Sequence, residues 1–315
     1  FKPRTDSERA LWAKFHHAAV VHVVLMTAAL ISLILVLQRG YEPAQPVGSV
    51  WLAVLPGAIF FSLNRFDILP ALATALGFAC LGRGRRGWSG AWFALGVLLK
   101  IYPVLFVPIL LRHLGPARGA RWLAGFAATM LFGVGLSTAI LGWEPTIQPI
   151  LVQMSRPYEE TRTLYGRVLP TALANSGIGR LAVLGAIGSA LVVGRPADLL
   201  GVLRRCAIIL TVFLALAVFW SPQWVVWYLP LLVPLAARHC WLPWVAAALD
   251  LLNYLQFPVI FWVLWGHFPD MLMRVCIEIC IGTRIACWAA LAGGLAWFEF
   301  RSTDAKQQLG GNATQ

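Results

Sequence analysis

The sequence predicts an all-α, polytopic transmembrane helix bundle, and three observations carry that expectation. Of its 315 residues, 59% are apolar and 12% charged, against about 45–50% and roughly 25% in soluble domains. Mean hydropathy is +0.75. The apolar residues fill nearly the whole chain, in runs separated by short arginine clusters. A soluble enzyme, a disordered chain and a soluble domain with one anchoring helix are all excluded. The net charge of +12 sits in those clusters, where the positive-inside rule places cytoplasmic loops. It records topology and predicts no nucleic-acid partner.

A hydrocarbon core about 30 Å thick takes about 20 residues per helix, and shorter helices are tolerated inside a bundle. Eleven segments fit: 18–38, 49–63, 68–82, 88–99, 103–112, 121–142, 178–194, 205–220, 225–238, 241–264 and 274–298. Charge parity orders them. Arg83, Arg85 and Arg86 should be cytoplasmic, and so should Arg112, Arg118 and Arg121. A single span between the two clusters would put them on opposite faces. The break at Lys100-Ile101-Tyr102-Pro103 resolves this, because proline cannot donate to the helix ladder and disfavours helix before it. Two short helices meeting there return the chain to the cytoplasm.

The resulting organisation is an extracytoplasmic segment 1–17, a bundle over 18–300 with an extracytoplasmic loop 143–177, and a cytoplasmic tail 301–315. Within that loop, 146–153 and 164–174 are amphipathic enough to lie on the membrane surface. The basic N-terminal segment is the misfit. Together with a first residue that is Phe and not Met, it leads to the expectation of a further helix upstream. Trp88, Trp143, Trp220, Trp224, Trp241 and Trp265 fall near helix ends, as interfacial anchors do. No cysteine pair has metal spacing, and His16, His17 and His22 are poorly spaced as ligands, so neither a metal nor a cofactor is expected.

The extracytoplasmic face gathers Asn64-Arg65-Phe66-Asp67, the Lys100–Tyr102 break, the 143–177 loop and Ser221-Pro222-Gln223-Trp224. An ionised group between apolar runs is costly and is functional or paired. Lys100 therefore has two readings. Either Asp67 neutralises it, or Lys100 and Arg65, with Arg156 from the loop, hold a lipid-linked phosphate at the membrane edge. Asn64, Tyr102, Glu159, Glu160 and Gln223 are candidates for contacting the substrate. A general base must be a carboxylate within reach of the attacking hydroxyl, and Asp67 is the best-placed one in the chain. Deeper in the bundle, Arg274 and Glu278 are four residues apart and can pair on one helix face. Asp250 and Arg284 lie at depths that let them pair as well. A transporter would place such charges at the midplane.

The succession Asn64-Arg65-Phe66-Asp67-Ile68-Leu69-Pro70, Arg83-Gly84-Arg85-Arg86, Lys100-Ile101-Tyr102-Pro103 and Ser221-Pro222-Gln223-Trp224-Val225-Val226-Trp227-Tyr228-Leu229-Pro230 resembles the multispanning glycosyltransferases of the C superfamily. It looks closest to the bacterial branch of polyprenol-phosphate-mannose-dependent mannosyltransferases, over roughly 18–240. Many relatives have Gly-Gln-x-Asn where this chain has Asn64-Arg65-Phe66-Asp67. The resemblance implies a catalytic aspartate in the first extracytoplasmic loop, hence upstream of Phe1, and twelve spans in a complete chain.

The expected function is inverting transfer of a sugar (mannose or another hexose or pentose) from a polyprenyl-phosphate donor to an extracytoplasmic lipid or glycan acceptor. The expected setting is the bacterial inner membrane, as a multi-pass cell-envelope enzyme. The alternative is a transporter or flippase of lipid-linked or small polar substrates, resting on Asp250, Glu278 and Arg284.

Overall fold

The computed structural model describes residues 6–42, 49–155, 167, 185–186, 188, 196–217 and 220–311. Among these residues the chain is helical throughout, without a strand. Helix α1 (Asp6–Arg39) is followed by a 3₁₀ turn, Val50–Val54, and then α2 (Pro56–Asn64), α3 (Ile68–Gly82) and α4 (Arg86–Leu99). A second 3₁₀ turn, Tyr102–Phe106, leads into α5 (Val107–Leu141) and α6 (Trp143–Ser155). Further along the chain come α7 (Leu199–Leu216), the 3₁₀ turn Pro222–Trp224, α8 (Val225–Ala236), α9 (Leu242–Tyr254) with its π-wound continuation Leu255–Leu264, and α10 (Asp270–Gly311).

Among the described residues, five helices are long and apolar enough to cross a membrane, and a bent pair, α2 and α3 at 109°, supplies a sixth span if taken together. This count is smaller than the eleven segments of the hydropathy pattern, and length is the reason. The 88–99 segment becomes the 14-residue α4, about 21 Å at 1.5 Å per residue, and 225–238 becomes the 12-residue α8. The segment 178–194 lies outside the described residues apart from isolated positions. The segments 103–112 and 121–142 fall on one helical stretch, Tyr102–Leu141. That stretch is broken at Gly115, whose φ of 71° and ψ of 178° leave the helix.

The break lets the chain double back. Along α3 and α4, Gly77 faces Phe93 and Gly96 faces Ala73, so these helices are antiparallel. Along α4 and the part of α5 beyond Gly115, Gly87 faces Gly125, Gly90 faces Trp122, and Leu98 faces Gly133. These two therefore run in the same direction, with Tyr102–Leu114 as the return stroke between them. The backbones of α4 and α5 touch because glycines line the seam, as close helix crossings in membranes require. Trp122 Nε1 donates to Ser89 Oγ at 3.1 Å across it.

Every residue of α8 is buried, so a helix that is apolar all round stands at the centre. The periphery is also apolar: Leu131, Phe132 and Ile140 on α5 are 75%, 71% and 70% exposed. Exposure of that extent on contiguous helix faces fits a lipid environment and not water.

The charged residues of the late helices take partners that sequence spacing does not suggest. Asp250 and Arg284 are both buried but do not pair. Asp250 Oδ2 accepts from the Gly57 amide at the start of α2, at 2.8 Å. Arg284 donates to Gln256 Oε1 at 2.5 Å and stacks on Trp220 and Trp288, 4.2 and 5.4 Å from the ring centroids. Arg274 and Glu278 are exposed, and Glu278 pairs with Arg167. Helix periodicity fixes neighbours along one helix only, and these partners come from other elements. Trp220 and Trp224 are likewise buried within the bundle. Trp220 meets its hydrogen-bonding need inside, on Asn253 Oδ1 at 3.2 Å.

Candidate functional site

The linker between α2 and α3, the end of α4 and the start of α8 meet at one end of the bundle. The α2 helix ends as Arg65 turns extended, with φ −140° and ψ 157°. Asp67 then opens α3 as its N-cap residue, but its side chain makes no capping hydrogen bond. Aspartate is favoured at N-caps because its carboxylate accepts from the first helical amides. Here the carboxylate is turned elsewhere.

Lys100 Nζ donates to Asp67 Oδ1 at 2.7 Å. Trp227 Nε1 donates to the same oxygen at 2.6 Å. Asp67 Oδ2 is buried with no hydrogen-bond partner among the described residues. The carboxylate side chain is 1% exposed and the lysine side chain 23%. The pair thus has a dry side and a wet side, and only the ammonium reaches the wet one.

Aromatic rings fix the lysine. Its Nζ lies 5.4 Å from the Phe66 ring centroid and 5.3 Å from that of Trp227, within the range of cation–π attraction. Trp227 stacks on Tyr102 with centroids 4.2 Å apart and planes 7° from parallel. Tyr102 Oη lies 3.3 Å from Thr74 Oγ1 on α3. Lys100 is extended, and its amide caps α4 on the Gly96 carbonyl. The Pro103 break thus turns the lysine off the helix and places Tyr102 beneath Trp227.

Of the residues singled out by sequence, the structure joins Asp67, Lys100 and Tyr102. Arg65 is exposed beside them. Asn64 is exposed and donates to the Phe60 carbonyl of its own helix at 2.9 Å, and Gln223 is half-buried in the turn before α8. Arg156, Glu159 and Glu160 lie outside the described residues. Sequence reading missed Trp227 and Phe66 as parts of the site. The signal available was an aromatic residue beside each polar motif, which in an apolar chain looks like ordinary core.

Chemically, the arrangement offers a partly exposed, anchored ammonium, with Arg65 exposed two residues before its carboxylate partner. The fold and the site together define a polytopic membrane protein with a cationic polar site at one end of its helices. The chain belongs to glycosyltransferase family 87, whose family model matches residues 9–228. It is therefore a membrane glycosyltransferase, acting on a sugar donor and an acceptor. No curated protein and no solved structure matches the chain.

Proposed function

We propose that the chain transfers a hexose or pentose, with inversion, from a polyprenyl-phosphate donor to an extracytoplasmic lipid or glycan acceptor, and that Lys100 and Arg65 hold the donor phosphate. A mannose donor and a place in the inner membrane and cell envelope of a bacterium follow from the resemblance to polyprenol-phosphate-mannose-dependent enzymes. The observation that carries the reading is Lys100. Its ammonium is anchored by a buried carboxylate, cradled by two rings, and still partly exposed beside Arg65. A phosphate on a prenyl chain needs cationic donors at the membrane edge and an apolar surface next to them.

Asp67 has a different part in this proposal from the base that sequence suggests. Its Oδ1 is filled by Lys100 and Trp227, and the group is buried. It anchors the lysine, and the base belongs to another carboxylate. Glu159 and Glu160 stay as candidates for the acceptor side, and Arg156 for a third phosphate contact. The transporter alternative draws less support, since Asp250, Glu278 and Arg284 each have a separate partner.

The test is donor use by Lys100→Ala in the full-length protein reconstituted in liposomes. Charge-assisted hydrogen bonds are worth about 1.5–3 kcal/mol, so donor use should weaken roughly tenfold or more. Lys100→Arg should restore part of it, because the charge survives while its shape changes. Acceptor affinity should hardly move. A folded Lys100→Ala protein that uses a polyprenyl-phosphate sugar as well as the parent does would overturn the assignment.

A further inference from the structure

Three features outside the phosphate reading invite a role. The first is Asp250, whose Oδ1 is buried with no hydrogen-bond partner among the described residues, at a small cleft lined by Leu52, Leu55, Tyr228 and Leu229. Its other oxygen caps α2, and the cleft walls carry no second group to hold a cation or an anion. The second is a small cleft between Trp220, Trp224, Trp288 and Asn253. There the Asn253 amide is already spent on Trp220 and the Leu249 carbonyl. The third is Trp227, and its geometry goes furthest.

Trp227 makes two contacts with the same pair of charges and a third that holds its ring. Its N–H shares Asp67 Oδ1 with the Lys100 ammonium. Its ring carries that ammonium at 5.3 Å. The ring is also held by Tyr102, stacked parallel to it with centroids 4.2 Å apart. Two donors on one carboxylate oxygen divide its negative charge, so neither is held as tightly as it would be alone. Asp67 Oδ2, sealed away from both, cannot make up the difference.

We propose that Trp227 is a positioning residue: by sharing Asp67 with Lys100 and supporting the ammonium on its ring, it leaves Lys100 in place and available to an incoming phosphate. The proposal rests on the donor-phosphate reading of Lys100. Without the indole N–H, Asp67 grips the lysine alone and competes better with the phosphate. Without the ring, the ammonium loses its support and its position.

Two variants separate the two effects. Trp227→Phe keeps a flat ring for Lys100 and Tyr102 and removes the N–H. Trp227→Leu removes both. The full-length protein is reconstituted in liposomes and assayed with a polyprenyl-phosphate hexose. Both variants should raise donor KM, by about fivefold for Trp227→Phe and about tenfold or more for Trp227→Leu, tenfold corresponding to about 1.4 kcal/mol. Acceptor KM should stay within about twofold, on the same scale. A second readout needs no activity: the rate at which Lys100 is acylated at fixed pH by a small amine reagent, followed by mass spectrometry. Acylation should be slower in Trp227→Phe than in the parent, because Asp67 holds the amine harder. It should be faster in Trp227→Leu than in Trp227→Phe.

Equal losses in donor and acceptor KM, or acylation rates that do not differ among the three proteins, would overturn the positioning role and leave Trp227 as packing. If the parent uses no polyprenyl-phosphate sugar at all, the donor reading fails, while the acylation rates still decide whether Trp227 positions Lys100.

Discussion

Lys100 and Asp67, 33 residues apart in sequence, form an ion pair at 2.7 Å in which the carboxylate is sealed and the ammonium is not. That asymmetry separates the pair from an ordinary structural bridge. Removing one partner of a buried pair costs about 3–5 kcal/mol, whereas replacing both can be neutral. We expect Asp67→Asn to lower the unfolding temperature of the detergent-solubilised protein, with Lys100 left unpaired. Asp67→Asn combined with Lys100→Met should regain most of the stability and none of the donor use. Recovery of both would show that the pair is only structural.

The cap on α2 gives a second expectation. Asp250 Oδ2 holds the Gly57 amide, and a Cβ on Gly57 would lie 2.8 Å from the other carboxylate oxygen. Losing a cap costs about 1 kcal/mol. Asp250→Ala and Gly57→Ala should each lower thermal stability, and Asp250→Asn, which keeps an acceptor oxygen, should lower it less. All three proteins should retain transfer activity once folded. Proton-coupled uptake into vesicles, abolished in a normally folded Asp250→Asn protein, would favour the transporter.

The glycine seam gives a third. A side chain on Gly90 would overlap the Trp122 carbonyl, and one on Gly125 the Gly87 carbonyl. Backbone cannot yield as a flexible side chain can. Gly90→Ala and Gly125→Ala should therefore each destabilise the bundle by at least the roughly 1–3 kcal/mol of an overpacked core. Gly135→Ala on α5, where an added Cβ meets nothing within 4 Å, is the control. Unfolding temperatures of the three proteins, compared in one detergent, are the measurement.

His239 gives a pH dependence. It lies in the turn between α8 and α9, where burial pushes its imidazole below the ordinary 6.5 and the Arg204 charge pushes it further down. The folded protein therefore resists protonation that the unfolded chain accepts. Stability should be full above about 6.5 and should fall as the pH drops from there through the lowered folded value, because the unfolded state then binds more protons. Unfolding temperatures between pH 7.5 and 5 should show this fall. His239→Gln should flatten it.

How far sequence reading carries depends on the distance over which each feature is set. Asp67, Lys100 and Tyr102 were legible because a charge between apolar runs and a proline break are local anomalies. Trp227 was not, since its role comes from a hydrogen bond to a residue 160 positions away. The same limit explains the late charges. Arg274 and Glu278 have the spacing of a helical pair, yet Glu278 pairs with Arg167 on a distant segment.

The sequence by itself determined that this chain is an all-helical membrane bundle, because 59% apolar residues leave no water-soluble way to bury the surface and lipid demands internally satisfied backbone. It also determined that the chain breaks at Lys100–Pro103, since proline fixes its own dihedral and restricts the residue before it. Tertiary structure alone decided which charges meet, which tryptophans turn inward, and that Asp67 Oδ1 answers both to α8 and to the residue that ends α4. Those outcomes depend on packing between helices, and periodicity along a single helix carries no record of its neighbours.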